Sequence, residues 1–168
     1  MNFQNAKKRY YPQKHIVKFQ KNIVENFKVV QLDPETDFVY FGIKWQLEKT
    51  INPDLHKDNK IFLKFNIDGL PLFSSSKVEF WPILGQIYYR PSVYSPFRIG
   101  IYCGKGKPKN LDKYCANLIS ELNDLLDNGI EVDGKKIEVK VLSFICYLPA
   151  RSFLKCTKNQ TGYFGCER

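Results

Sequence analysis

Every second residue from Ile61 to Ile67 is apolar, and a period of two is typical of a β-strand. The alternation stops at Asp68 and Gly69, a pair that favours a turn. Two further segments, Phe80 to Arg90 and Phe97 to Cys103, also have the character of strands, and a proline-containing turn separates them. Three consecutive strands with short connections predict an antiparallel meander.

A helical period replaces the alternation after the third strand. Apolar residues recur there every three or four positions, which places them on one face of a helix: Leu111, Tyr114, Cys115, Leu118, Leu122, Leu125 and Leu126. Asn110 is a suitable N-cap, and Gly129 supplies a left-handed stop. We therefore predict a helix between these two residues.

A hairpin and a fourth strand follow the helix. Asp133 and Gly134 are typical of a tight hairpin turn. The next strand is predicted from about Lys136 to Cys146, with one face formed by Ile137, Val139, Val141, Ser143 and Ile145. Pro149 is well placed to open a short helix that ends near Leu154. The predicted order is therefore three strands, a helix, a strand and a helix.

The first 59 residues are predicted to form a basic arm and a small helical preface to the main fold. Residues 1 to 14 are polar and basic and have no apolar period. A helix from Ile16 to Val30 is predicted because apolar residues recur every three or four positions. A weaker helical pattern continues toward Ile51 through Phe38, Phe41 and Trp45. Residues 60 to 168 then form the second predicted unit.

The charge of the chain points to nucleic acid as the leading class of partner. Lys and Arg number 26 against 17 Asp and Glu, which gives a net charge of +9 and attracts polyanions. The five cysteines show no paired spacing, so a reducing compartment is expected. No apolar run is long enough for a membrane span, and no phosphate-binding glycine motif is present. Membrane partners and nucleotide-dependent chemistry are therefore not predicted.

Five segments closely resemble the catalytic core of CACTA-type DNA transposases. They are NIDGLPLFSSS (Asn66 to Ser76), FWPILGQI (Phe80 to Ile87), PFRIGIYCGKGKP (Pro96 to Pro108), FICYLPARSFLK (Phe144 to Lys155) and GYFGCER (Gly162 to Arg168). The resemblance extends from about Lys60 to Arg168 in matching order and spacing. It implies an α/β chain with a partial, C-terminally truncated ribonuclease H-like fold, in which the fourth strand lies parallel to the first.

The resemblance also implies a DDE-type site, in which three acidic residues hold two divalent cations, Mg²⁺ or Mn²⁺. These cations promote phosphodiester cleavage and strand transfer. The first acid of the family falls in an Ile-Asp-Gly-Leu-Pro motif, so Asp68 is the candidate catalytic and metal-binding residue. Turn chemistry alone is the alternative explanation of Asp68, because Asp-Gly pairs favour turns.

The second acid of that family stands in a Cys-Asp-Ala-Pro-Ala-Arg motif, and the matching segment here places Tyr147 at the acid position. A phenol is neutral at pH 7 and is a poor ligand for Mg²⁺. The third acid would lie beyond the matched segments. We therefore expect a transposase fragment that is inactive and does not retain its metal ions.

Other candidate residues surround these positions. Lys105, Lys107 and Lys109 form a basic cluster after the third strand, and Arg151 and Lys155 lie on the short helix after the fourth strand. All five are candidates for DNA phosphate contacts, although Arg151 and Lys155 are equally compatible with a solvated helix face. The resemblance places Cys166 at the start of a zinc-binding Gly-Cys-x-x-Cys element, so zinc is expected only in a longer chain.

Three hypotheses of function follow. The first is a transposon-derived fragment of a DNA transposase, with transposon ends and target DNA as partners and a nuclear location. The second is a non-catalytic remnant that binds DNA or another protein. The third is an unrelated basic RNA-binding domain, which requires a surface for base stacking that the sequence alone does not specify.

Overall fold

The computed structural model describes residues 28–30, 32, 36–72 and 77–157. This part of the chain contains eight strands: β1 Lys28–Val30, β2 Asp37–Tyr40, β3 Lys60–Ile67, β4 Leu70–Pro71, β5 Val78–Tyr88, β6 Phe97–Lys105, β7 Ile130–Val132 and β8 Lys135–Ile145. It also contains three α-helices and one short 3₁₀ helix: α1 Lys44–Thr50, α2 Leu111–Asn128, α3 Leu148–Leu154 and the 3₁₀ helix Pro53–Leu55.

The strands form one mixed sheet in the order β1, β2, β6, β5, β3, β8, β7, and β4 pairs with β5. Strands β3, β5 and β6 are antiparallel neighbours, as the sequence predicts. Strand β8 pairs with β3 in parallel, and helix α2 lies between β6 and β8 in the chain. The fold is therefore α/β, and the predicted parallel position of β8 beside the first strand of the meander is confirmed.

One face of the sheet packs against the helices, and we call it the core face. The alternating residues of β3 that face it are fully buried: Ile61, Leu63, Phe65 and Ile67. Helix α2 covers this face with its own buried residues, Tyr114, Leu118, Leu122 and Leu125. Helix α3 reaches the same face, because the ring centroids of Phe153 and Trp81 are 5.1 Å apart. The opposite side of the sheet, where Phe62 and Lys64 lie, is called the outer face.

Both predicted bounds of α2 are confirmed, although the predicted left-handed conformation of Gly129 is wrong. The Asn110 side chain accepts a hydrogen bond from the backbone N–H of Lys113 at 2.9 Å, which satisfies one free donor of the first turn. Gly129 ends the helix with φ +70° and ψ −163°, so its backbone is extended with positive φ rather than left-handed helical. No helix in the described ranges is long and apolar enough to cross a membrane.

A carboxylate from α2 holds the start of α1. Glu121 accepts hydrogen bonds from the backbone N–H groups of Ile43 and Lys44, at 2.8 and 2.9 Å, and from the Tyr40 hydroxyl at 2.6 Å. Burial and the nearby carboxylate raise the pKa of Tyr40, so this hydroxyl remains a donor. Because α1 has no side-chain cap of its own, Glu121 supplies the acceptor that its first turn needs.

The prediction of a helical preface is only partly correct. The last three residues of the helix predicted from Ile16 to Val30 form strand β1, so the prediction is wrong there. Residues 16–27 lie outside the described residues. The helical pattern predicted through Phe38 is wrong, since β2 pairs antiparallel with β6 and places Phe38 opposite Tyr102. Phe41 precedes α1, and Trp45 lies within it. The described residues before Lys60 thus contribute two strands, β1 and β2, to the main sheet.

The predicted face of β8 is wrong beyond Val141. The register with β3 shifts there, from Leu63 opposite Val141 to Lys64 opposite Ser143, so one extra residue is inserted at Leu142. The bulge reverses the alternation, and Phe144 joins the core face, where its ring stacks on that of Phe65 at 4.9 Å. Ser143 and Ile145 consequently face the outer side of the sheet.

His56 is a buried residue at the end of the sheet where β3 begins. Its ring nitrogen Nε2 lies 2.8 Å from the Tyr94 hydroxyl, and its ring stacks on that of Tyr94 at a centroid distance of 5.7 Å. Burial lowers the pKa of His56 from its ordinary value of 6.5. The folded chain therefore favours the neutral imidazole.

Stability is expected to fall as the pH drops below about 6.5, because the unfolded chain then binds a proton that folded His56 resists. Chemical denaturation at pH 7.5, 6.5 and 5.5 measures this dependence. A His56→Gln variant should show a flatter profile across the same window. An equally steep profile in that variant would assign the pH dependence to other groups.

Candidate functional site

Asp68 and Tyr147 occupy equivalent positions at the ends of two neighbouring parallel strands. Asn66 of β3 lies opposite Ile145 of β8, and Asp68 and Tyr147 each stand two residues further along. Since paired parallel strands end at the same edge of a sheet, the two residues lie at the same sheet edge. They also line one cavity of about 730 Å³. The predicted neighbouring position of Asp68 and Tyr147 is confirmed.

The two residues differ in exposure and in chemistry. Asp68 is half-buried, and its Oδ1 accepts a hydrogen bond from the backbone N–H of Gly69 at 2.9 Å. Tyr147 is 70% exposed and precedes α3, in which Pro149 occupies the first turn as predicted. The ends of β3 and β8 are therefore followed by one carboxylic acid side chain and one phenol.

Glu79 is a second carboxylate of the cavity that the sequence interpretation missed. It lies opposite Pro71 in the short pairing of β4 with β5, and its Oε2 accepts a hydrogen bond from Trp81 Nε1 at 2.7 Å. The sequence signal for Glu79 is its spacing of two residues from Trp81. Residues two apart in a strand share a face of the sheet, and an apolar Trp81 indicates the buried face. Glu79 therefore faces the same cavity as Asp68.

The indole of Trp81 fixes the backbone beside Asp68. A Cβ atom at Gly69 would lie 2.5 Å from Trp81 Cε2, a distance that side chains do not tolerate. Trp81 is 4% exposed and contacts the ring of Phe153 from α3. The turn after β3, the strand β5 and the helix α3 are thereby packed together around the cavity.

The predicted basic residues are distributed over two adjacent surfaces. Lys107 lines the Asp68 cavity, and its Nζ lies 5.3 Å from the centre of the Phe153 ring. Lys105 ends β6 and Lys109 lies shortly before α2, and both are exposed. Arg151 and Lys155 instead line a neighbouring apolar groove of about 490 Å³ between α2, α3 and the end of β8.

Cysteine chemistry receives no support near the site. Burial raises the pKa of the Cys146 thiol, and the carboxylate of Asp68 adds to that rise. Burial likewise raises the pKa of Cys115, which lines the same groove, to about 11. Both thiols are therefore protonated at neutral pH and are poor nucleophiles. Cys166, the predicted zinc ligand, lies outside the described residues.

The side chains of the cavity do not fit the two-cation site that the resemblance implies. One oxygen of Asp68 and one oxygen of Glu79 are already engaged by N–H donors. Within the part of the chain that the structure describes, no group of three or more His, Cys, Asp or Glu side chains could hold a metal ion. Mg²⁺ prefers several hard oxygen ligands in octahedral geometry, and the Tyr147 phenol does not provide one.

Comparison with known proteins adds no constraint on the function. No protein-family model, no curated protein and no solved structure matches this chain. The residues and geometry at this sheet edge are therefore the basis for a functional conclusion.

Proposed function

We propose that this chain derives from a DNA transposase with a ribonuclease H-like core and binds DNA without cleaving it. The observation that carries the proposal is the placement of Tyr147 beside Asp68, at the ends of parallel strands β3 and β8. In the CACTA-type core that the sequence resembles, both positions carry acids. A catalytically inactive descendant is expected to keep this arrangement of strands and to carry a phenol in place of one acid.

The loss of catalysis follows from the chemistry of two-metal phosphodiester cleavage. Two cations stabilise the attacking and leaving oxygens, and carboxylates must hold both cations about 4 Å apart. Asp68 is the only acid of the resembling motifs among the described positions, because Tyr147 carries a phenol in place of a carboxylate. Glu79 is the other carboxylate of the cavity, but its Oε2 is engaged by the Trp81 indole, so we expect no two-cation site and no cleavage step.

DNA binding is supported by the basic segment that reaches the cavity and by the net charge of the chain. Lys107 lines the cavity beside the carboxylates of Asp68 and Glu79. Lys105 and Lys109 are exposed on either side of it in the chain, which carries a net charge of +9. Such an excess attracts phosphates and releases counterions from DNA. Lys107 is the side chain best placed for a phosphate at the sheet edge, because it shares the cavity with Asp68 and Tyr147.

The experiment combines a nicking assay with a duplex-binding assay. Supercoiled plasmid incubated with the chain in Mg²⁺ or Mn²⁺ should show no nicking above that of Asp68→Ala. Labelled duplex DNA should bind with strong salt dependence, and Lys107→Gln should weaken binding and lower the slope of log K against log salt by about one. Lys136→Gln, at the opposite end of β8, is the control that should leave binding unchanged.

Two results would overturn the proposal. Metal-dependent nicking that Asp68→Ala abolishes would show that the site is active despite Tyr147. Absence of duplex binding at low salt would remove the DNA-binding part and would favour a remnant that binds another protein.

A further inference from the structure

The outer face of the sheet carries a cluster of rings and cations that is separate from the Asp68 cavity. Phe62 of β3 lies opposite Tyr88 of β5 and beside Lys140 of β8. Lys64 lies on the same face, since side chains two apart in a strand share a side. We call these four residues and Arg90, which follows β5, the outer-face patch.

The described helices leave this patch accessible. Helices α2 and α3 contact the core face, and Glu121 holds the first turn of α1 against α2. Phe62, Lys64 and Tyr88 are each partly exposed, whereas the residues that alternate with them in β3 and β5 are buried. The Lys140 side chain is 47% exposed.

The cations of the patch are placed directly over its aromatic surface. Lys64 Nζ lies 4.3 Å from the centre of the Tyr88 ring, and Arg90 Cζ lies 5.7 Å from the same centre. Glu138 is the carboxylate beside them, and it pairs with both Lys60 and Lys140 at 3.1 Å. These two ion pairs lower the pKa of Glu138, yet one carboxylate opposes four cations. The surface therefore keeps a positive charge at neutral pH.

This combination complements a polyanion whose bases are accessible. Cations neutralise phosphates regardless of sequence, whereas an aromatic ring gains affinity only from a base that is free to contact it. In a duplex the bases are stacked inside, so the rings contribute little. A sheet face that presents rings beside cations is the arrangement found in single-strand-binding domains.

We propose that the outer-face patch binds single-stranded nucleic acid, with phosphates at Lys64, Arg90 and Lys140 and a base against the paired rings of Phe62 and Tyr88. This site lies on the face of the sheet rather than at its end. It is therefore independent of the duplex binding proposed for the Asp68 cavity.

The test measures fluorescence anisotropy of a labelled oligothymidylate of about 12 nucleotides, with a duplex of equal length as comparison. Tyr88→Leu should weaken single-strand binding about tenfold or more, within the range measured for removal of one stacking ring. Lys64→Gln should lower the salt slope for single strands by about 0.7. Because Lys64 is not buried, this second variant tests the site even if Tyr88→Leu is unstable.

The chain offers a matched control pair on helix α1. Lys49 Nζ lies 4.2 Å from the centre of the Trp45 ring, so this pair repeats the cation and ring arrangement away from the outer face. Trp45→Leu and Lys49→Gln should each leave single-strand affinity within about twofold of that of the parent chain, because neither residue belongs to the outer-face patch.

Three outcomes would overturn the inference. These are undetectable single-strand binding at 50 mM salt, an equal loss in Tyr88→Leu and Trp45→Leu, and a loss in neither Tyr88→Leu nor Lys64→Gln. Lys107→Gln should weaken duplex binding only. Loss of single-strand binding and loss of duplex binding are therefore separate results, and each tests one proposal.

Discussion

Glu121→Ala is expected to lower the free energy of unfolding by about 3 kcal/mol, because it leaves three polar groups without their acceptor. The carboxylate binds the Tyr40 hydroxyl and the N–H groups of Ile43 and Lys44. Hydrogen bonds to a charged acceptor contribute more than neutral ones, and the first turn of α1 has no substitute cap. Urea denaturation followed by circular dichroism measures the loss.

Two further variants control for this result. Glu121→Gln keeps one carbonyl acceptor and should lose roughly half as much stability. Asp127→Ala removes an exposed carboxylate from the same helix and should change stability by less than about 0.5 kcal/mol. A Glu121→Ala chain as stable as Asp127→Ala would show that this contact does not hold α1 in place.

Gly129→Ala is expected to cost about 3 kcal/mol or more, because two penalties add at this position. The residue has φ +70° and ψ −163°, a conformation that is almost restricted to glycine. In addition, a Cβ atom would lie 2.6 Å from the carbonyl oxygen of Ile137, which is backbone and does not move easily. The substitution should therefore separate the end of α2 from the hairpin of β7 and β8.

Gly134 provides the matched control for Gly129. It also has a positive φ, +73°, but a Cβ atom there would meet nothing within 4 Å. Gly134→Ala should therefore cost only the backbone part, about 1 kcal/mol. Thermal and urea unfolding of both variants measure the difference, and equal losses would contradict the larger penalty expected at Gly129.

Long periodic segments allowed the order of the main elements to be predicted. Alternation fixed β3, because every second residue from Ile61 to Ile67 is apolar and all four are buried. The helical period and the end residues Asn110 and Gly129 fixed α2 closely. Such segments are reliable because burial of one face requires the same spacing throughout the element.

Short segments and bulges could not be predicted in this way. The apolar residues around Phe38 fit a helical spacing as well as a strand, and pairing with β6 decides the outcome. The extra residue at Leu142 has no signal in the sequence, although it changes which side of the sheet Phe144 and Ile145 occupy. Tertiary pairing therefore overrides local pattern at both places.

The sequence predicted Asp68 and Tyr147 of the candidate site but not the other residues that line its cavity. Asp68 and Tyr147 follow two long strands that the periods predict, whereas the parallel pairing of these strands is an expectation from the family resemblance. Glu79 and Trp81 lie on β5, and the two-residue strand β4 that pairs with this part of β5 has no sequence signal. The outer-face patch depends on cross-strand register, which a single sequence does not specify.

Mn²⁺ binding by a Tyr147→Asp variant tests most directly whether position 147 is a vacant acid position beside Asp68. We expect no Mn²⁺-dependent stabilisation of the parent chain. Tyr147→Asp should gain about 1.4 kcal/mol of stability when Mn²⁺ is at ten times its Kd, and adding Asp68→Asn should remove this gain. Calorimetric unfolding with and without Mn²⁺ measures all three. Mn²⁺ stabilisation of the parent chain that Asp68→Asn removes, or a folded Tyr147→Asp chain that gains no stability from Mn²⁺, would show that position 147 is not a lost acid position.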